Sequence, residues 1–189
     1  MIWSDLYQDI LPHVPGCPEP LVEDAVKRVT VKFCRDSHSW KEQINDLYLI
    51  EGVDRYEIGI PEESELLEIC ELYFKNDTPL LDWPSINVFG LISFDRPVKP
   101  KEHPLVVKVV LVPSKDATGV PDKIGDHYRE ALIHGAIGIL QEIPAKDWSN
   151  PQLAMYHKGE YQNGISEARS RAANGNTKRP MRVAPRFLL

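Results

Sequence analysis

Cysteine is scarce in this chain. Cys17, Cys34 and Cys70 are the only three in 189 residues. They are odd in number and far apart, so they suggest neither a disulfide framework nor a metal-ligand spacing. A reducing, intracellular site of synthesis is the simplest inference. Long apolar runs are lacking as well. The densest, Leu105 to Pro113, is broken by Lys108 and falls well short of the ~18 apolar residues of a membrane span. The opening MIWSDLYQDI has no basic region ahead of an apolar one, so it does not read as a secretory signal.

The motifs of common chemistries are missing too. The six histidines, at 13, 38, 103, 127, 134 and 157, are scattered. His127 and His134 share a helix face but stand two turns apart, whereas a zinc pair needs closer spacing. The expectation is histidines that pack beside Tyr128 and Tyr156. No G-x-S-x-G or H-E-x-x-H occurs, and no phosphate-binding glycine loop. Cys17 stands near a helix start, where a thiolate could be stabilised. Glu19 beside it works against that, and a small apolar residue under a rigid connector is the plainer reading. The acidic PEESE stretch has no partner motif. Nothing here points to an enzyme or to a cofactor.

What the chain does have is charge segregated by position. From Asn174 onward there are Lys178, Arg179, Arg182 and Arg186 and no acid. The whole chain carries −6, so residues 1–173 carry −10. An acidic body with a basic tail suits nucleic acid or an acidic protein surface, including a second copy. The tail holds a single aromatic, Phe187, where single-strand binding calls for several interleaved with cations. The acidic body would also repel phosphate. A protein partner therefore fits better. Two prolines keep the tail extended, and the Phe187-Leu188-Leu189 tip can dock in a groove or along a strand edge.

The periodicities predict an α+β fold. Residues 3–11 read as a short helix with Ser4 as N-cap. A helix follows from Pro20, with a stripe of Leu21, Val22, Ala25, Val26, Val29, Phe33 and Trp40. Ile44, Tyr48 and Ile50, then Tyr56, Ile58 and Ile60, predict a β-hairpin across EGV. ELLEICELYFKND fits a helix or a strand and is read as a strand, since a loop-like PEESE precedes it and the Asn76-Asp77 turn follows. SINVFGLISF and PLVVKVVLVP read as the next strands. Residues 121–143 read as one helix, with a stripe of Ile124, Tyr128, Ala131, Leu132, Gly135, Ile139 and Ile143. Asn150 as N-cap and Pro151 as first residue open the last helix. Its predicted stripe is Leu153, His157, Tyr161, Gly164, Ile165, Ala168 and Ala172, and Gly175 is placed to end it. Gly135 and Gly164 fall on buried stripes, which a close approach of the last two helices would explain.

Several of these pieces together resemble one family. They are Tyr128…Ala131…Gly135-Ala136…Leu140, then Trp148-Ser149-Asn150-Pro151…Ala154-x-Tyr156-His157…Gly164-Ile165…Ala168-Arg169. Upstream lie the Val14-Pro15-Gly16-Cys17-Pro18 turn and Phe33-Cys34-Arg35…Trp40. The set resembles the head-to-tail adaptor (connector, or head completion) proteins of tailed bacteriophages, over roughly residues 5–60 and 120–185. The stretch from about 84 to 118 matches least. The resemblance implies a non-enzymatic virion protein, made in the bacterial host cytoplasm and placed at the neck. It implies a bundle of about four helices (1–41 and 119–173), a β-rich insertion (42–118) and an extended C-terminal arm (174–189). Such adaptors form a ring, usually of twelve copies, beneath the portal protein; genomic DNA passes through it without sequence-specific binding. The arm, with Lys178, Arg179, Arg182, Val183, Arg186, Phe187, Leu188 and Leu189, would grip the portal. Tyr128, Gly135, Trp148, Pro151, Tyr161 and Gly164 would set the helix packing. A neck or tail protein would dock below. A tail-terminator or neck protein lower in the stack is the alternative.

Overall fold

The computed structural model describes residues 1–75, 84–86, 90–95 and 104–174, and these form a mixed α+β fold. A 3-10 turn at Trp3–Leu6 leads into α1 (Tyr7–Ile10) and a second turn at Leu11–His13. Residues 3–11 are thus not one helix capped by Ser4. Asp5 accepts the Ile2 N–H at 2.9 Å instead. Trp3 anchors the segment, its indole N–H donating to the Ala117 carbonyl at 2.8 Å.

Helix α2 (Glu19–Ser37) follows an extended Pro18, with Pro20 in its first turn, where the missing N–H costs nothing. Val22, Ala25, Val26, Val29, Phe33 and Cys34 bury one face at helical spacing. Thr30 and Ser37 also lie on that face. Each hydroxyl donates to the carbonyl four residues back, at 2.7 Å, so neither is left unsatisfied. The helix ends at His38 in the left-handed region, φ 53°. Trp40, expected on the helical stripe, lies past this end. It is buried, and its carbonyl accepts from Leu111 N–H at 2.9 Å.

Two antiparallel three-stranded sheets come between α2 and the later helices in chain order. The first runs β1 (Lys41–Leu47), β6 (Leu105–Pro113), β3 (Ser64–Phe74), with β6 central. Five valines and two leucines make β6 apolar on both faces, and all of it but Lys108 is buried. Lys108 reaches Glu71 of β3 at 2.7 Å. β3 pairs along its whole length through two register shifts, which let its charged residues reach solvent. The second sheet is β2 (Arg55–Glu57), β5 (Leu91–Ser93), β4 (Ser85–Ile86).

Two strand expectations are corrected here. Residues 44–60 do not form a hairpin: β1 pairs with β6, and β2 pairs with β5. The apolar run of β6 needs partners on both edges, and β1 supplies one. Tyr48 and Ile50, expected on the buried parity, are exposed. SINVFGLISF is not one strand either, since β4 and β5 lie antiparallel to each other. Gly90 enters β5 at φ +80°, and a Cβ there would stand 3.0 Å from the Ile58 carbonyl oxygen, so only glycine fits without strain.

The chain ends in α3 (Asp122–Gly125), α4 (Arg129–Gln141) and α5 (Pro151–Ala173). The expected single helix over 121–143 is broken at 126–128. Tyr128, at φ −119° and ψ 18°, is the N-cap of α4 instead of a residue within a helix. α2 packs against β6 and against both α4 and α5. One continuous core results, with Phe33, Leu105, Leu111, Leu132, Ile137 and Leu140 among its fully buried members.

The cysteines sit at three depths. Cys34 is fully buried and its thiol pKa is pushed up to about 12, chiefly by burial. Cys17 is buried under the Val14–Pro18 turn, its pKa also raised by burial. Cys70 on β3 is half-buried. At pH 8 in native protein, a thiol reagent is expected to modify Cys70 first. Cys34 should stay silent until denaturant is added. Rapid native labelling of Cys34, read by mass spectrometry, would contradict this packing.

Candidate functional site

The site is built on α5, from which the C-terminal tail departs. Its start is fixed as the sequence predicts. Asn150 Oδ1 accepts the Leu153 N–H at 3.1 Å, and Pro151 occupies the first turn. Asn150 N–H in turn donates to the Gln141 carbonyl at 3.0 Å, which ties this start to the end of α4. Trp148 is half-buried just before it, with Lys146 Nζ 6.0 Å from its ring centroid. The buried face of α5 is Ala154, His157, Tyr161, Ile165, Ala168 and Ala172. Leu153, expected on that face, is 46% exposed and Ala154 takes its place. Met155 and Tyr156 on the same turns are exposed as well.

The seam between α4 and α5 is too close for side chains at two points. A Cβ on Gly135 would come within 2.5 Å of Val29 Cγ1 and 2.7 Å of Tyr161 Cδ2. One on Gly164 would come within 2.4 Å of Ala131 Cβ. Tyr161 closes the seam, its hydroxyl donating to the Val29 carbonyl at 2.8 Å. Burial raises that hydroxyl's pKa, with Asp36 adding to the effect. Tyr128 packs its ring 5.0 Å from Phe33, and its pKa too is raised, mainly by burial.

The far end of α5 is fastened. Arg169 donates twice to the Asp36 carbonyl, at 2.9 and 2.6 Å, near the end of α2. Lys41 Nζ donates to the Ala172 carbonyl at 2.9 Å, so a cation sits on the negative end of the helix. Arg171 pairs with Glu167. Of the two arginines just before the tail, Arg169 is thus bonded back to α2 and Arg171 is paired within α5. The other tail residues named above, Lys178 to Leu189, and Gly175 lie outside the described residues.

Beside the seam lies an open groove of about 500 Å³ lined by Asp126, Glu130, Glu160 and Glu167, with His134 in its wall. Arg129 at its edge is bonded to Asp9 at 2.6 Å. Sequence reasoning missed a further grouping: His13, His134 and His157 meet where the turn after α1 reaches α4 and α5. Their spacing along the chain carries no signal of it, since the contact depends on how the turn after α1 folds over α5. Among the described residues, no group of three or more His, Cys, Asp or Glu is placed to hold a metal ion. Among them, too, no helix is long and apolar enough to cross a membrane. In comparisons with known proteins, no family model matches the chain and no curated protein matches it.

Gly135→Ala and Gly164→Ala should each destabilise the protein by about 1–3 kcal/mol through overpacking. Gly159→Ala on the same helix meets nothing within 4 Å and should stabilise by about 0.5–1 kcal/mol. Equal urea midpoints for the three variants would refute the close seam. Asn150→Ala should cost about 1 kcal/mol by the same measurement.

Proposed function

We propose that this chain is a structural virion protein of a tailed bacteriophage, a head-to-tail adaptor. It would form a ring under the portal, extend the DNA channel and offer a docking platform to the neck or tail. In this reading residues 1–41 and 119–173 act as the helical bundle, 42–118 as a β-rich insertion, and 174–189 as the arm that grips the portal.

The observation that carries the reading is the fastening of α5 just before the tail. Arg169 and Lys41 hold the last turns against α2 and β1. A basic sequence punctuated by Pro180 and Pro185 then leaves an acidic body from a fixed point. A flexible chain loses conformational entropy when it docks, and a fixed root with prolines reduces that loss. The tail's four cations suit an acidic partner surface, and Phe187, Leu188 and Leu189 supply an apolar anchor. The acidic groove along α4 and α5 would repel a passing DNA backbone.

Deletion of residues 174–189 is the test. The shortened protein should keep a cooperative unfolding transition but fail to join DNA-filled heads to tails in an assembly assay. Normal joining by the shortened protein would overturn the role of the arm. Joining lost together with attachment to tails, while attachment to heads persists, would favour a tail-terminator.

A further inference from the structure

Three imidazoles from distant parts of the chain meet where the turn after α1 crosses the start of α5. Nδ1 of His134, on α4, is 2.7 Å from Nδ1 of His157, on α5. Their ring centroids are 4.9 Å apart. His13 sets its ring edge-on to His157 at 5.8 Å. Tyr156 stands edge-on to His134 at 6.0 Å and to His157 at 5.3 Å. His157 is 6% exposed. Around them, Gln141 donates to the His13 carbonyl at 3.1 Å. Glu142 is held by Lys158, and Glu130 and Glu160 line the groove beside His134. Among the described residues, no carboxylate is bonded to any of the three rings.

A separation of 2.7 Å is that of a hydrogen bond, one N–H facing one lone pair. Two nitrogens on one tetrahedral metal ion would stand about 3.3 Å apart, given metal–nitrogen bonds of ~2.0–2.1 Å. The pair therefore shares a proton and not an ion. The bond persists with both rings neutral, or with one protonated and the other accepting. With both protonated there is no acceptor left, and two cations face each other beside a third imidazole. We propose that His134 and His157 form an acid-released clasp that ties the first turns of α5 to α4. Release would loosen residues 151–160, which the Asn150–Gln141 bond and the Lys158–Glu142 pair also tie to α4, while Tyr161 and the Gly164 contact continue to hold the rest of the helix.

The direction follows from linkage. Burial, then the neighbouring His134 and His13, hold the His157 pKa below its ordinary value. The opened segment therefore binds protons more readily than the closed one. The clasp is at full strength above about pH 6.5, the ordinary histidine value. It weakens as the pH falls from there through the depressed pKa of His157.

Hydrogen exchange on the full chain tests this, with intrinsic rates corrected for pH. Between pH 7.5 and 5.5, protection of amides 154–160 should drop several-fold, because the opened segment takes up the proton that the closed one resists. Amides 165–172 should keep theirs. In His157→Gln, which carries no charge at either pH, the drop should vanish. A drop of the same size in that variant, or none in the wild type, would overturn the proposal. Should His157→Gln fail to fold, His134→Gln, at the half-buried partner position, should show a smaller drop than the wild type, and a drop of equal size would overturn the proposal.

Discussion

The approach of α4 to α5 at Gly135 and Gly164 is the contact on which the rest of the structure depends. It is a three-helix contact and not merely a pair. Gly135 faces both Val29 of α2 and Tyr161 of α5, and Tyr161 bonds the Val29 carbonyl. Any side chain at 135 would push on two helices at once. Because α2 also packs on β6, the position of the sheet is tied to the same place. Glycine within a helix is unfavourable by about 0.5–1 kcal/mol relative to alanine. Dispersion attraction between two closely packed backbones offsets that. The buried Tyr161 hydroxyl would be costly without its acceptor, so the seam also has a defined register.

This packing decides where the tail begins. α5 is held along its buried face and again at its last turns by Arg169 and Lys41. Arg169 is bonded to the end of α2 and Arg171 is paired with Glu167 one turn back, so the four cations with no acid among them begin after the helix, at Lys178. On the proposed reading that division of charge is functional. The body would repel DNA and the tail would reach an acidic neighbour. Charge complementarity of this kind governs which partners meet and how fast, more than the final affinity.

Much of the helical part was legible in the sequence. Asn150-Pro151 announces its helix start because both residues act locally, one through its side chain and one through a fixed φ. The buried stripe of α2 follows from side chains spaced at helical period. The glycines on the stripes of α4 and α5 signalled a close approach because nothing else explains them there. The sheet was less legible. Strand partners are set by contacts distant in sequence, so β1 pairs with β6 across some sixty intervening residues while local alternation suggested a hairpin. The break at 126–128 was hidden because the apolar stripe continues through it. The meeting of His13, His134 and His157 left no trace either, since it depends on three segments arriving together. Nor did the sequence reveal that Arg169 is bonded to α2, because its partner is a backbone carbonyl distant in sequence.

On the proposed reading the C-terminal residues contact the portal while the body forms the ring beneath it. Site-specific photo-crosslinking from position 187 in assembled particles tests it most directly. With the tail seated on the portal, the product expected is a covalent link between this chain and the portal protein. A product only with a tail protein, or only with another copy of this chain, would contradict it.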